Sequence, residues 1–174
     1  SKDKIEVIEL FWCGCIHCYN MDPYLDKWAD SLPKDVTFKR VPAIPRKDWV
    51  ESAKAYYALE TLGIVNKLHE KLFDAIHKEK DLDPNNEKAL IDWVTLNGKL
   101  DKKEVKSAFN SFSIDTKLKK SYKIFTKNAQ LLSLNPIPHA RSDFPDQKTQ
   151  KTRKISSDPP CSPRFYAENP THSP

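Results

Sequence analysis

The residues best equipped for chemistry lie together near the start of the chain. In "ELFWCGCIHCYNMDPYL", residues 9 to 25, three cysteines and a histidine crowd into six positions: Cys13, Cys15, His17 and Cys18. Cys15 and Cys18 are spaced C-x-x-C, at the point where an apolar, β-branched run gives way to a helical pattern. That spacing puts both sulfurs on one side of a first helical turn, within reach of a disulfide. The turn also offers unpaired backbone N–H groups and the positive end of the helix dipole. Both favour a thiolate, so Cys15 is expected to have a low pKa and to act as nucleophile and leaving group. His17 can add positive charge or a hydrogen bond to that thiolate, which stabilises the reduced form and makes the disulfide a stronger oxidant. Cys18, a turn later and more buried, is the expected resolving thiol. Cys13 keeps two alternatives open: exchange with the pair, or a three-thiolate site for zinc or copper(I) built from Cys13, Cys15 and Cys18. A structural zinc site wants a fourth ligand, and no second CxxC or paired histidine motif supplies one. His69 and His77 are eight apart on one expected helix and read as surface residues.

The elements that must hold this cluster follow from periodicity. "IEVIELFW", Ile5 to Trp12, alternates apolar and acidic residues and reads as a strand. After the cysteines, Met21, Leu25 and Trp28 form a helical stripe, with a kink expected at Pro23. "DVTFKRVPAI" alternates again, giving a βαβ opening. From Asp48 the pattern is helical: "WVESAKAYYALETLGI" with Gly63 as a stop or bend, then "NKLHEKLFDAIHKE". "NNEKALIDWVTLNG" starts at an asparagine and ends at Gly98, which suits a left-handed C-cap. Asp101 and Glu104 make a capping-box-like start for the helix through Phe109. "SIDTKLKKSYKIFTKNAQLL" is a further amphipathic helix.

Beyond Leu134 the composition shifts: eight of the 13 prolines fall between Pro136 and Pro174, with no glycine and few apolar residues. Such a segment cannot bury enough apolar area to offset its ordering entropy, so it is expected to be a disordered tail, with Cys161 a bystander and the basic run "KTQKTRK" solvated. The expected organisation is residues 1–46 as the βαβ portion, 47–115 as a helical insertion, 116–133 as a helix returning to the core, and 134–174 as the tail. At 174 residues, 39% hydrophobic and 30% charged, the chain suits one soluble domain with an insertion. No stretch approaches the ~20 apolar residues of a membrane helix. "SKDKIEV" shows no signal-peptide pattern, as expected of either a mature secreted chain or a cytosolic one. The net charge of +5 is spread among acids, which argues against a nucleic-acid partner.

"IEVIELFWCGCIHCYNMDPYLDKW", followed by "LPKDVTFKRVPAI", "AKAYYALETLG", "LHEKLFDAIH" and "FNSFSID", resembles the DsbA family of bacterial thiol:disulfide oxidoreductases, from about Ile5 to Gln130. The resemblance implies an α/β (α+β) fold: a thioredoxin-like βαβ core interrupted by a helical domain. It also implies disulfide donation through Cys15-Ile16-His17-Cys18 to folding secreted proteins with free cysteines, in the periplasm. A membrane quinone-linked partner would reoxidise the dithiol; no cofactor is called for, and a monomer is expected. The chain departs from the family pattern at Ile16, where the family usually has proline, and at Cys13. An early strand-bearing segment is missing. The C-terminal β-hairpin and final helix, introduced by a cis-proline facing the dithiol, also have no counterpart, Pro138 being a weak candidate for that proline. An alternative reading is therefore a catalytically impaired remnant or a binding protein of the same family.

Overall fold

The computed structural model describes residues 5–134 and 164–168. Strand β1 (Ile5–Phe11) pairs in parallel with β2 (Val36–Pro42), and α1 (Ile16–Asp30) forms the crossover between them. The register sets Ile5 beside Val36 and Glu9 beside Arg40. The second half of β1, from Ile8 to Phe11, is buried. A strand covered on both faces loses the polar alternation of a half-exposed one, which makes Glu9 in its middle conspicuous.

Five residues of the expected tail belong to the sheet. Strand β3 (Arg164–Glu168) runs antiparallel to the other edge of β1, with Ile8 opposite Tyr166, giving the order β2-β1-β3. The reading of residues 134–174 as wholly unstructured is corrected for that segment. "RFYAE" is too short, and too isolated among prolines, to announce a strand; its backbone groups are satisfied by the open edge of β1. The described residues include no hairpin partner for β3 and no helix after it. Pro138, Cys161 and the run "KTQKTRK" lie outside the described residues.

Helix α1 runs unbroken through Pro23. Its inward face is Cys18, Asp22 and Leu25, rotated by one position at its start from the expected Met21 stripe, while Trp28 is exposed. The insertion comprises a 3-10 turn (Lys47–Trp49), α2 (Val50–Thr61), α3 (Val65–Asp74), a π turn (Ala75–Glu79), α4 (Glu87–Gly98) and α5 (Lys102–Phe109). Helix α2 is its centre, burying every residue from Ser52 to Leu59 except Lys54. Gly63, with a φ of 71°, ends α2 in the left-handed conformation that glycine adopts without strain. Asp101 caps α5 as expected, accepting from the backbone N–H groups of Lys103 and Glu104. At α4 the left-handed residue is Lys99 rather than Gly98, which completes the helix. Helix α6 (Phe112–Leu134) starts one residue before the expected helix at Ser113 and ties back to α2 through the Tyr57 and Ser121 hydroxyls.

Two apolar clusters meet at the cysteine turn. One joins Phe11, the three cysteines and the insertion helices; the other joins Ile8, Leu10, Val41, Ala43 and Trp49. Trp12 packs against both.

Candidate active site

The cysteines sit on a β-turn between β1 and α1. The Cys15 N–H donates to the Trp12 carbonyl at 3.0 Å, closing the turn Trp12-Cys13-Gly14-Cys15. Cys15 is the N-cap residue of α1, with no side-chain cap and no acid in the first turn, so the unpaired helix N–H groups begin at its sulfur. Gly14 is required by crowding: a Cβ there would lie 2.4 Å from the Trp12 ring, which is stacked on Trp49 with centroids 4.1 Å apart. His17 is exposed on the first turn of α1.

Cys13 and Cys18 are free, buried thiols. Cys15 is only 1% exposed. Burial, aided by the negative charges of Glu9 and Asp22 and opposed by backbone hydrogen bonds, pushes the Cys18 thiol up to about 12. Cys13 is raised further, by burial first and by Cys18 second, and its Sγ lies 3.9 Å from the Ser52 carbonyl oxygen, to which it donates. A thiol held neutral in this way is a poor metal ligand and a poor nucleophile. Among the described residues no group of three His, Cys, Asp or Glu side chains is arranged to hold a metal ion.

Beneath the cysteines lies a charged cluster. Glu9 is 2% exposed; burial raises its carboxyl to about 7 against the opposing pull of Arg40, whose Nε donates to Oε2 at 3.1 Å. Nη2 of Arg40 donates to Asp22 Oδ1 at 2.9 Å and to Asp26 Oδ1 at 2.7 Å. His69 Nε2 approaches the same Asp22 oxygen at 3.2 Å. Burial alone would raise Asp22, but His69 and Arg40 together outweigh it and hold the carboxyl below its usual value.

The expectation that His69 and His77 lie at the surface is corrected. His69 is 6% exposed, between Phe11, Tyr56 and Phe73, because it shares the inward face of α3 with Leu68, Leu72 and Phe73. His77, half-buried on the π turn, lies with Nε2 2.7 Å from the Cys13 carbonyl oxygen.

The structure thus brings Cys13, Cys15, His17 and Cys18 together and adds Glu9, Asp22, Arg40, His69 and His77, which periodicity did not single out. Parity offered one signal: Glu9 falls on the same strand face as Val7 and Phe11, with Arg40 beside it in the register.

A helix-capping cysteine with a second cysteine one turn on, on a βαβ unit carrying a helical insertion, defines the class: a thioredoxin-like dithiol scaffold. No family model matches the chain. Curated relatives and solved structures do. The chain is 40% identical over 123 residues to the thiol:disulfide interchange protein DsbA of Burkholderia cepacia, covering 70% of this chain and 56% of that relative. It superposes on a crystal structure of Pseudomonas aeruginosa DsbA with a TM-score of 0.65 at 34% identity, covering 79% of this chain and 69% of that one. For the oxidoreductase DsbA from Xylella fastidiosa the TM-score is 0.64 at 28% identity, covering 79% and 71%. The chain belongs to the DsbA family. It spans little more than half the length of the curated relatives it matches.

Proposed function

We propose that this chain is a thiol:disulfide oxidoreductase that exchanges through Cys15, with Cys18 as the resolving thiol. The observation that carries this reading is the sulfur arrangement: Cys15 caps α1 and Cys18 lies one turn on as a free thiol. In disulfide donation, a substrate thiolate attacks Cys15 of a Cys15–Cys18 disulfide and Cys18 leaves. A second substrate thiolate then attacks the substrate sulfur of the mixed disulfide and expels Cys15 as a thiolate. The substrate loses two electrons and two protons, and the dithiol gains the electrons. The helix N-terminus stabilises the Cys15 thiolate, and exposed His17 adds to it when charged. For reoxidation Cys18 must give up its proton, and Glu9, which acts on Cys18 electrostatically and holds its own proton up to about 7, is the acceptor.

By analogy with the family, the substrates are folding secreted proteins with free cysteines, the compartment is the periplasm, and the reoxidant is a membrane quinone-linked partner. No helix among the described residues is long and apolar enough to cross a membrane. Pro138, proposed from the sequence as the proline of a substrate-binding wall, remains a proposal.

The second reading, a remnant without turnover, is favoured by one feature: Cys15 is almost fully covered. Insulin reduction and glutathione exchange, with Cys15→Ser and Cys18→Ser, decide between the two. Turnover requires that Cys15→Ser abolish exchange and that Cys18→Ser accumulate a mixed disulfide. Loss in both variants with no trapped adduct would sink the assigned roles.

A further inference from the structure

We propose that His77 is a positioning residue for the dithiol: it fixes which way the central peptide of the Cys13–Gly14 turn faces and thereby sets how well Cys15 is held as a thiolate. The proposal deepens the exchange reading above and rests on it.

The acceptor in the His77 contact is a carbonyl oxygen, so Nε2 must carry the proton and donate at 2.7 Å. That carbonyl belongs to Cys13, the second residue of the Trp12–Cys15 turn, and so to the turn's central peptide. A β-turn has two low-energy forms, types I and II, related by turning this one peptide over. The second form needs a positive φ at the third residue. Here that residue is Gly14, which can take either form; it sits outside the left-handed region in the structure. The closing bond from Cys15 to Trp12 exists in both forms, so it cannot select between them. The bond from His77 can, because turning the peptide over carries the Cys13 oxygen away from Nε2. The peptide dipole it fixes lies directly ahead of Cys15, where α1 begins, and fixed dipoles at a helix N-terminus govern the ease of ionising a thiol.

The imidazole is itself held in place. Its ring stacks on Tyr19 at 5.1 Å and on Phe73 at 6.0 Å, and the Tyr19 hydroxyl donates to Asp74 Oδ1 at 2.8 Å. Tyr19 is the residue immediately after Cys18, so the clamp spans the dithiol, braced by the residue after it and gripping the turn before it. His77 stands within the π turn Ala75–Glu79 that continues α3, and π turns insert a residue that re-aims the side chains around it. Burial lowers the affinity of the imidazole for a second proton, against the pull of the Cys13 carbonyl. The neutral ring retains the one N–H this role needs.

The test compares the full chain with His77→Phe and His77→Gln, since glutamine places an N–H near the position of Nε2. The reduced chains are equilibrated with glutathione, and Cys15 thiolate absorbance near 240 nm is followed across pH. One net hydrogen bond implies that His77→Phe shifts the glutathione equilibrium about three- to tenfold toward the oxidised chain, with a matching rise in the Cys15 pKa. His77→Gln should return most of the shift. A merely structural histidine lowers the stability of both redox forms alike and leaves the equilibrium constant in place, and that result overturns the proposal. Should His77→Phe not fold, Tyr19→Leu withdraws the bracing ring and is read in the same way: a shift in the same direction supports the clamp, an unchanged constant overturns it. A wild-type chain that never equilibrates with glutathione overturns the exchange reading and the clamp with it, whereas an equilibrating wild type with an unmoved His77→Phe overturns the clamp alone.

Discussion

Glu9→Gln is the substitution whose consequence follows most directly from the structure. The carboxyl lies in the middle of β1, 2% exposed, and burial carries it from an ordinary 4.5 to about 7 although Arg40 donates to it at 3.1 Å. An acid whose folded pKa is raised gives the folded state a stabilisation that is complete below the unfolded value and is lost as pH rises through the folded one. The difference between 4.5 and about 7, at about 1.4 kcal/mol for each tenfold change in proton affinity, amounts to about 3 kcal/mol lost between pH 4.5 and 8. Glutamine keeps an oxygen for the Arg40 guanidinium, and Arg40 retains Asp22 and Asp26, so the cluster is not left with an unpaired cation. Urea unfolding at pH 5, 6, 7 and 8, with the redox state held fixed, reads the effect as the difference between the two stability curves, because other titrating groups contribute to both. The wild type should lose about 2.5 kcal/mol relative to Glu9→Gln between pH 5 and 8, most of it spread evenly between pH 5 and 7. Parallel curves would mean that the folded pKa of Glu9 is not raised, and that it is too weak a base to be the acceptor assigned to the Cys18 proton.

Three further substitutions probe the frame around the dithiol. In Gly14→Ala the new methyl meets the Trp12 ring at 2.4 Å, so the Trp12–Trp49 stack must open; a loss of roughly 1–3 kcal/mol and altered tryptophan fluorescence are expected, and an unchanged spectrum would count against the stack. His69→Leu removes the donor that helps hold Asp22 low, with an expected cost of about 2 kcal/mol. Because the stability from a depressed carboxyl is present above its unfolded pKa and lost as pH falls through the folded one, the variant, whose Asp22 is held less low, should lose less on acidification, so that its deficit against the wild type narrows from pH 5 to 3 as measured by urea unfolding. Ending the chain at residue 160 removes β3 and bares an edge of β1; self-association on size-exclusion chromatography is expected, and a stable monomer would show that β3 does not protect the sheet.

What could be read from the sequence, and what could not, divides along the range of the forces involved. The strand from Ile5, the C-x-x-C at a strand-to-helix junction and the Asp101 cap are local patterns, and each appears where the sequence put it, although β1 is buried on both faces from Ile8 to Phe11 rather than on one. The misreadings around the site concern polar groups whose environment is set by distant parts of the chain. Asp22 broke the apolar stripe of α1, so the inward face was placed one position off, yet Asp22 is buried because Arg40 from β2 and His69 from α3 converge on it. His69 and His77 looked like surface residues when judged by their own helix. One is buried by that carboxylate and the other is drawn to the Cys13 carbonyl across 64 positions of sequence. Strand β3 has no local signal at all, because an edge of β1 supplies its hydrogen-bond partners. In each case the missing information was a partner, and the partners cluster around the dithiol. A site that tunes thiols and carboxyls needs buried charge, and buried charge is stable only where remote elements bring compensating groups to it. The part of this fold that local pattern cannot reveal is therefore the part that sets the chemistry.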